Sequence, residues 1–165
     1  MFRVGANIIH ALHGLGVVEA IEEKVILGNV TRFAVLKFDR LQILANVDQK
    51  NSMIHAPIDS KEVPAVLTFL ANCDAEPPFN YTRRDNINLE KVKSGDLNQV
   101  CEVIKSLSKL GRGKKLTYKD QSMLERARNV LAQELGFATN TEVEEMEQLI
   151  DQACTKDAEK ELQPA

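Results

Sequence analysis

The stretch Asp59-Ser60-Lys61-Glu62-Val63-Pro64-Ala65-Val66-Leu67-Thr68-Phe69-Leu70 marks a change of period in the chain. Asp59 followed three residues later by Glu62 is a capping-box pattern, in which two side chains satisfy otherwise orphaned backbone N–H groups. Pro64 stands near the predicted helix start, where its missing N–H costs least. Val63, Val66, Leu67 and Leu70 then fall on one helical face. The residues before this stretch read as strands and those after it read as helices. The expected class is therefore α+β: a small N-terminal β barrel followed by an all-α bundle of about four to five helices.

On the N-terminal side, Val17 to Ile21 and Val25-Ile26 lead into Leu27-Gly28-Asn29-Val30, a turn by composition. Phe33 to Phe38 is rich in β-formers, Asp39-Arg40 interrupts it, and Leu41 to Val47 is a further apolar run. Short strands so closely spaced suggest a small barrel rather than a βαβ unit. A sheet of about sixty residues is marginal alone and is expected to lean on a neighbour.

On the C-terminal side, the turn-rich segment Asn72 to Pro78 is the expected domain boundary. A helix over residues 81–93 stops at Ser94-Gly95. Asp96 then caps an apolar stripe at Leu97, Val100, Cys101, Ile104, Leu107 and Leu110. Thr117 opens the next helix, with Leu124, Ala127, Val130, Leu131 and Leu135 facing the core and Gly136 near its end. A last helix from about Thr139–Thr141 buries Val143, Met146, Leu149, Ile150 and Ala153. The chain thus divides into a β domain over 1–58, a helix and linker over 59–78 and a helical domain over 79–155. A polar tail over 156–165 is expected to fray.

Composition narrows the function. Of 165 residues, 44% are apolar and 27% charged, as in an ordinary water-soluble domain. No apolar run approaches the roughly 18 residues needed to cross a bilayer, and the start lacks a signal peptide's features. A cytoplasmic protein without membrane contact is expected. Cys73, Cys101 and Cys154 are odd in number and far apart, which predicts buried thiols in a reducing compartment. The net charge of -3 conceals a division, because residues 81–128 carry twelve Lys/Arg against six Asp/Glu while residues 129–165 carry two against nine. A basic middle before an acidic end fits a nucleic-acid surface beside a solubilising tail, and equally a pair of helices with solvated basic faces.

No catalytic or metal motif emerges. His13-Gly14-Leu15-Gly16 lacks the third glycine and the acidic partner of a dinucleotide fingerprint. Gly111-Arg112-Gly113-Lys114-Lys115 lacks the spacing and the Ser/Thr of a phosphate loop. His10, His13 and His55 have no cysteine at zinc-ligand spacing, so neither metal nor cofactor is expected. Cys101 belongs to the apolar stripe, and the carboxylate pairs read as solvated faces. A more suggestive segment is Asn80-Tyr81-Thr82-Arg83-Arg84, an aromatic residue and two guanidiniums at a helix start. Such groups bind phosphates and stack on bases, although helix packing and surface charge would use the same residues.

Taken in order, these segments resemble the CarD/CdnL family of bacterial RNA-polymerase-binding regulators. The resemblance rests on Asn80-Tyr81-Thr82-Arg83-Arg84, where the family shows N-W-x-R-R, and on Asn88-Leu89-Glu90-Lys91-Val92-Lys93-Ser94-Gly95-Asp96 after it. Val100 to Ile104, Met123 to Leu131, Glu134-Leu135, His13 to Glu22 and Val35-Leu36-Lys37 extend it over almost the whole chain. It implies a Tudor-like, SH3-like β domain that docks on the polymerase β subunit and a helical domain that touches promoter DNA at the upstream edge of the bubble. It further implies a non-enzymatic protein, monomeric, with little sequence specificity. By position, the resemblance assigns DNA contact to Tyr81 as a wedge and to Arg83, Arg84, Lys105, Lys109 and Arg126, and polymerase contact to Lys24 and Leu44.

The chain departs from the family pattern at several of these places. Tyr81 replaces the usual wedge Trp, which should weaken stacking by about 1 kcal/mol. Leu44 stands where relatives often carry Arg, and Asn46 where Pro is common. His10-Ala11 replaces Tyr-Pro, Asp85 and Asn86 replace aromatic or basic residues, and Gln121 replaces a common Lys. Two other classes therefore stay open: a module that binds polymerase or a repair translocase without touching DNA, and a thiol enzyme using Cys73 or Cys154.

Overall fold

A computed structural model describes residues 2–77 and 80–162, with side chains for all of these except 81–82 and 156–162. The N-terminal part is one antiparallel sheet of β1 (Asn7–His10), β2 (Gly14–Ile26), β3 (Asn29–Lys37), β4 (Gln42–Asn46) and β5 (Ile54–His55), in the order β4-β3-β2-β1-β5. Alternation along each strand sends Ile8, Val18, Ala34, Leu36, Ala45 and Ile54 to one face, where they form a core with Phe38. A bulge between Val18 and Ala20 interrupts the pairing of β2 with β3. The outer strands β4 and β5 are not paired with each other among the described residues. With only two residues, β5 offers almost no ladder with which to close a barrel.

β2 and β3 run on past both neighbours, since β1 reaches only Val17 and β4 only Phe33. The resulting two-stranded ribbon ends at Leu27-Gly28, with φ of 50° and 81°. Two positive φ values between paired Ile26 and Asn29 make a type I′ hairpin, whose twist matches that of the strands.

The helices come after a short 3₁₀ turn at Ser60–Glu62. They are α1 (Val63–Asn72), α2 (Tyr81–Lys93), α3 (Leu97–Gly113), α4 (Tyr118–Thr139) and α5 (Val143–Leu162). The capping box is present: Asp59 accepts from the Lys61 N–H at 3.0 Å and Glu62 from the Asp59 N–H at 3.0 Å. Asp96 caps α3 and Thr117 caps α4 through their expected acceptor oxygens. Val63, Val66 and Leu70 of α1 pack with Cys101, Ile104, Leu131 and Ile150, so this helix belongs to the helical core.

Two details differ from the expected pattern. α4 runs through Gly136 to Thr139 and ends at Asn140, which takes the left-handed conformation at φ 55°. Gly136 is needed for a close approach instead, because a Cβ there would lie 2.6 Å from the Thr141 carbonyl oxygen. Leu149 remains exposed on α5, whose backbone is helical to Leu162.

α4 also joins the two halves. Its Glu134 is buried and accepts from the Ile58 N–H at 3.1 Å, while its other oxygen lies 2.8 Å from His55 Nε2. Gln133, one residue before, accepts from the Leu15 N–H at 2.8 Å. Gly14 leaves room for that amide, since a Cβ at its φ of 79° would collide with Gln133 Oε1. The sheet leans on the bundle through paired polar groups as well as apolar ones.

Candidate nucleic-acid interface

Charge in the basic segment is divided by burial. Arg84 is 2% exposed and forms a bidentate pair with Asp120, Nε to Oδ1 at 2.9 Å and Nη2 to Oδ2 at 2.6 Å. Burial alone would raise the Asp120 carboxyl, but hydrogen bonds from Arg84 and Thr117 hold it below the usual carboxylate value. The pair therefore clamps the start of α2 to the first turn of α4. Lys105 is buried as well, and its Nζ donates to the Ala71 carbonyl at 3.0 Å, tying α3 to the end of α1. Neither side chain presents its charge to solvent, so a DNA contact by Arg84 or Lys105, as expected from the sequence, would have to break these internal pairs. A cation on an amphipathic helix reads as surface by default, and only the packing reveals its internal partner.

Lys109 lies at the surface but engages Glu76 at 2.5 Å. Arg83 on α2 and Arg126 on α4 are exposed. The wedge role expected of Tyr81 falls on a side chain outside the described residues; its backbone opens α2.

Arg126 edges an open groove of about 340 Å³ between α2 and α4. Leu12, Leu89 and Met123 are its apolar lining residues. Asp85 and Asn86 of α2 and Ser122 of α4 line it as well. So do Tyr118 and Lys119, the first two residues of α4. Tyr118 is 87% exposed, an unusual placement for so large a ring. Lys119 Nζ is 3.8 Å from the Asp85 carboxylate. Tyr118 did not stand out in the sequence. The available signal was an aromatic directly after the N-cap Thr117, a position whose side chain usually escapes the helix core.

On the sheet, Lys24 and Leu44 share a face. Lys24 pairs with Thr31 and Leu44 with Val35, and Thr31 and Val35 lie an even number of residues apart on β3. That face is opposite the one carrying Ala34, Leu36 and Ala45 into the core. Lys24 is exposed and Leu44 is 47% exposed on the edge strand β4.

Two of the three thiols are held in the protonated form. Cys101 and Cys154 are buried, and burial pushes the Cys101 thiol up to about 12 and raises that of Cys154. Among the described residues no group of three or more His, Cys, Asp or Glu is placed to hold a metal ion. No helix among them is long and apolar enough to cross a membrane.

Two stretches of the chain match described protein families. Residues 2–58 match the family described as "CarD-like/TRCF RID domain", and residues 65–151 match "CarD, C-terminal domain". The chain is also 26% identical over 138 residues to the Bacillus subtilis (strain 168) protein named "Putative transcription factor YdeB", covering 82% of this chain and 90% of that one.

Proposed function

The chain belongs to the CarD family of RNA-polymerase-interacting transcription factors, and from that premise we propose how its two halves divide the work. The β sheet binds the polymerase β subunit through the face of Lys24 and Leu44 and the open edge of β4. An apolar Leu44 in place of a cation trades a charge-assisted contact for burial of its exposed half, about 1 kcal/mol. The helical half rests on promoter DNA at the upstream edge of the bubble through Arg83, Arg126 and Tyr81. Tethering to polymerase raises the local concentration of the helical half at the promoter, so weak DNA contacts suffice. The protein then shifts the closed–open equilibrium by the difference in its affinity for the two states.

The observation that carries this reading is the joining, in one chain, of a polymerase-interacting sheet to a helical unit with exposed Arg83 and Arg126. Affinity for DNA without polymerase should be low, fall steeply with salt and depend little on sequence. The deciding experiment is open-complex lifetime on a ribosomal-RNA-type promoter with the polymerase of the same organism. Wild type should prolong or speed the open complex, whereas Tyr81→Ala and the Arg83→Ala/Arg126→Ala double variant should not. A second reading is favoured by the inward placement of Arg84 and Lys105: a polymerase-binding module that leaves DNA untouched. In that case all three proteins act alike while polymerase binding persists.

A further inference from the structure

The groove between α2 and α4 has a composition that neither polymerase tethering nor a wedge at Tyr81 explains. Its volume of about 340 Å³ exceeds that of a single nucleobase, and Leu12, Leu89 and Met123 give part of its lining an apolar character. Apolar lining suits the flat face of a heterocycle. The Asn86 amide and the Asp85 carboxylate in the same lining offer donors and acceptors matched to a base edge, as Asn is to adenine and Asp to the cytosine amino group. Tyr118, which lines the groove and is exposed at the start of α4, supplies a second flat surface. Lys119 and Arg126, which also line it, are cations, complementary to the phosphates on either side of an unpaired nucleotide.

We propose that this groove is a binding site for one unpaired DNA base, stacked against Tyr118 and flanked by phosphates on Lys119 and Arg126. The inference rests on the proposed DNA contact and deepens it, because it gives the helical half a preference for melted over paired DNA. Paired bases cannot enter, since their edges are committed to partners and their faces to neighbouring bases. The Lys119–Asp85 contact at 3.8 Å links two lining residues and would yield as a phosphate takes Lys119.

The test uses the full-length protein at low salt with two DNA duplexes, one fully paired and one with a short unpaired segment carrying 2-aminopurine. Wild type should bind the unpaired DNA more tightly and quench its fluorescence. Tyr118→Ala should lose the quench and about tenfold in affinity for that DNA alone, within the usual effect of removing a stacking ring. Tyr118→Phe, which keeps the ring, should retain both. Tyr118 is solvent-exposed, so its replacement leaves the Arg84–Asp120 clamp and the fold intact. An unchanged preference and quench in Tyr118→Ala would overturn the proposal while leaving the DNA contact of the helical half standing. If Tyr118→Ala instead loses polymerase binding with its DNA preference intact, the groove belongs to a protein partner and the proposal falls. If wild type binds neither DNA, both this inference and the DNA contact it rests on fall together.

Discussion

Removing one partner of the Arg84–Asp120 pair leaves the other charge inside the protein, where both side chains are at most 2% exposed. The cost of such an orphaned charge is about 3–5 kcal/mol, far above that of an exposed ion pair. Arg84→Ala and Asp120→Asn should each lower the stability measured by urea unfolding by this amount, whereas Arg84→Met/Asp120→Leu should recover most of the loss. Single variants with near wild-type stability would show that water reaches the pair. The neighbouring Arg83 makes the contrast, because Arg83→Ala should change stability little and act only on DNA binding. Burial separates these two arginines, and nothing in the local sequence does. A similar inward turn affects His10, which burial, aided by the nearby His13, lowers to about 4 while its Nδ1 accepts from the Leu12 N–H at 3.0 Å. It is neutral in the folded protein at pH 7. Its stabilising share is complete above about pH 6.5, the ordinary histidine value, and is lost as the pH falls toward 4.

Elements were legible where local chemistry and packing agree. The caps Asp59, Asp96 and Thr117 act within a single turn, so their residue types announce the helix starts. The C-terminus of α4 was less legible, because Gly136 serves a contact with the following segment and Asn140 makes the turn. At the hairpin tip, Leu27 is 97% exposed with φ 50°, a conformation that costs a non-glycine L-residue about 1–2 kcal/mol and that Asn tolerates better. Leu27→Asn should therefore raise thermal stability modestly, by up to about 1 kcal/mol. A fall in stability would mean that Leu27 packs in solution against something its exposure does not reveal.

In the whole molecule, Glu134 decides how the halves are held. It lies inside, paired with His55 and the Ile58 N–H, while Gln133 holds the Leu15 N–H next to it. Glu134→Ala should leave two polar groups without their partner, at about 1–3 kcal/mol each, and free the sheet from the bundle. Amide exchange should then speed at Ile58 while Ile104, deep in the helical core, keeps its protection. Unchanged exchange at Ile58 would place the hold elsewhere. By itself the sequence determined the class, strands β2, β3 and β4 but not β1 or β5, the order of the helices, most caps and the family, because periodicity, turn chemistry and motif order are properties of neighbouring residues. Only the tertiary structure decided which cations face solvent, that Tyr118 lines a groove, and that Glu134 joins the halves. Those facts depend on pairs such as Arg84 with Asp120 and His55 with Glu134, which lie far apart in the chain and meet only when the helices pack.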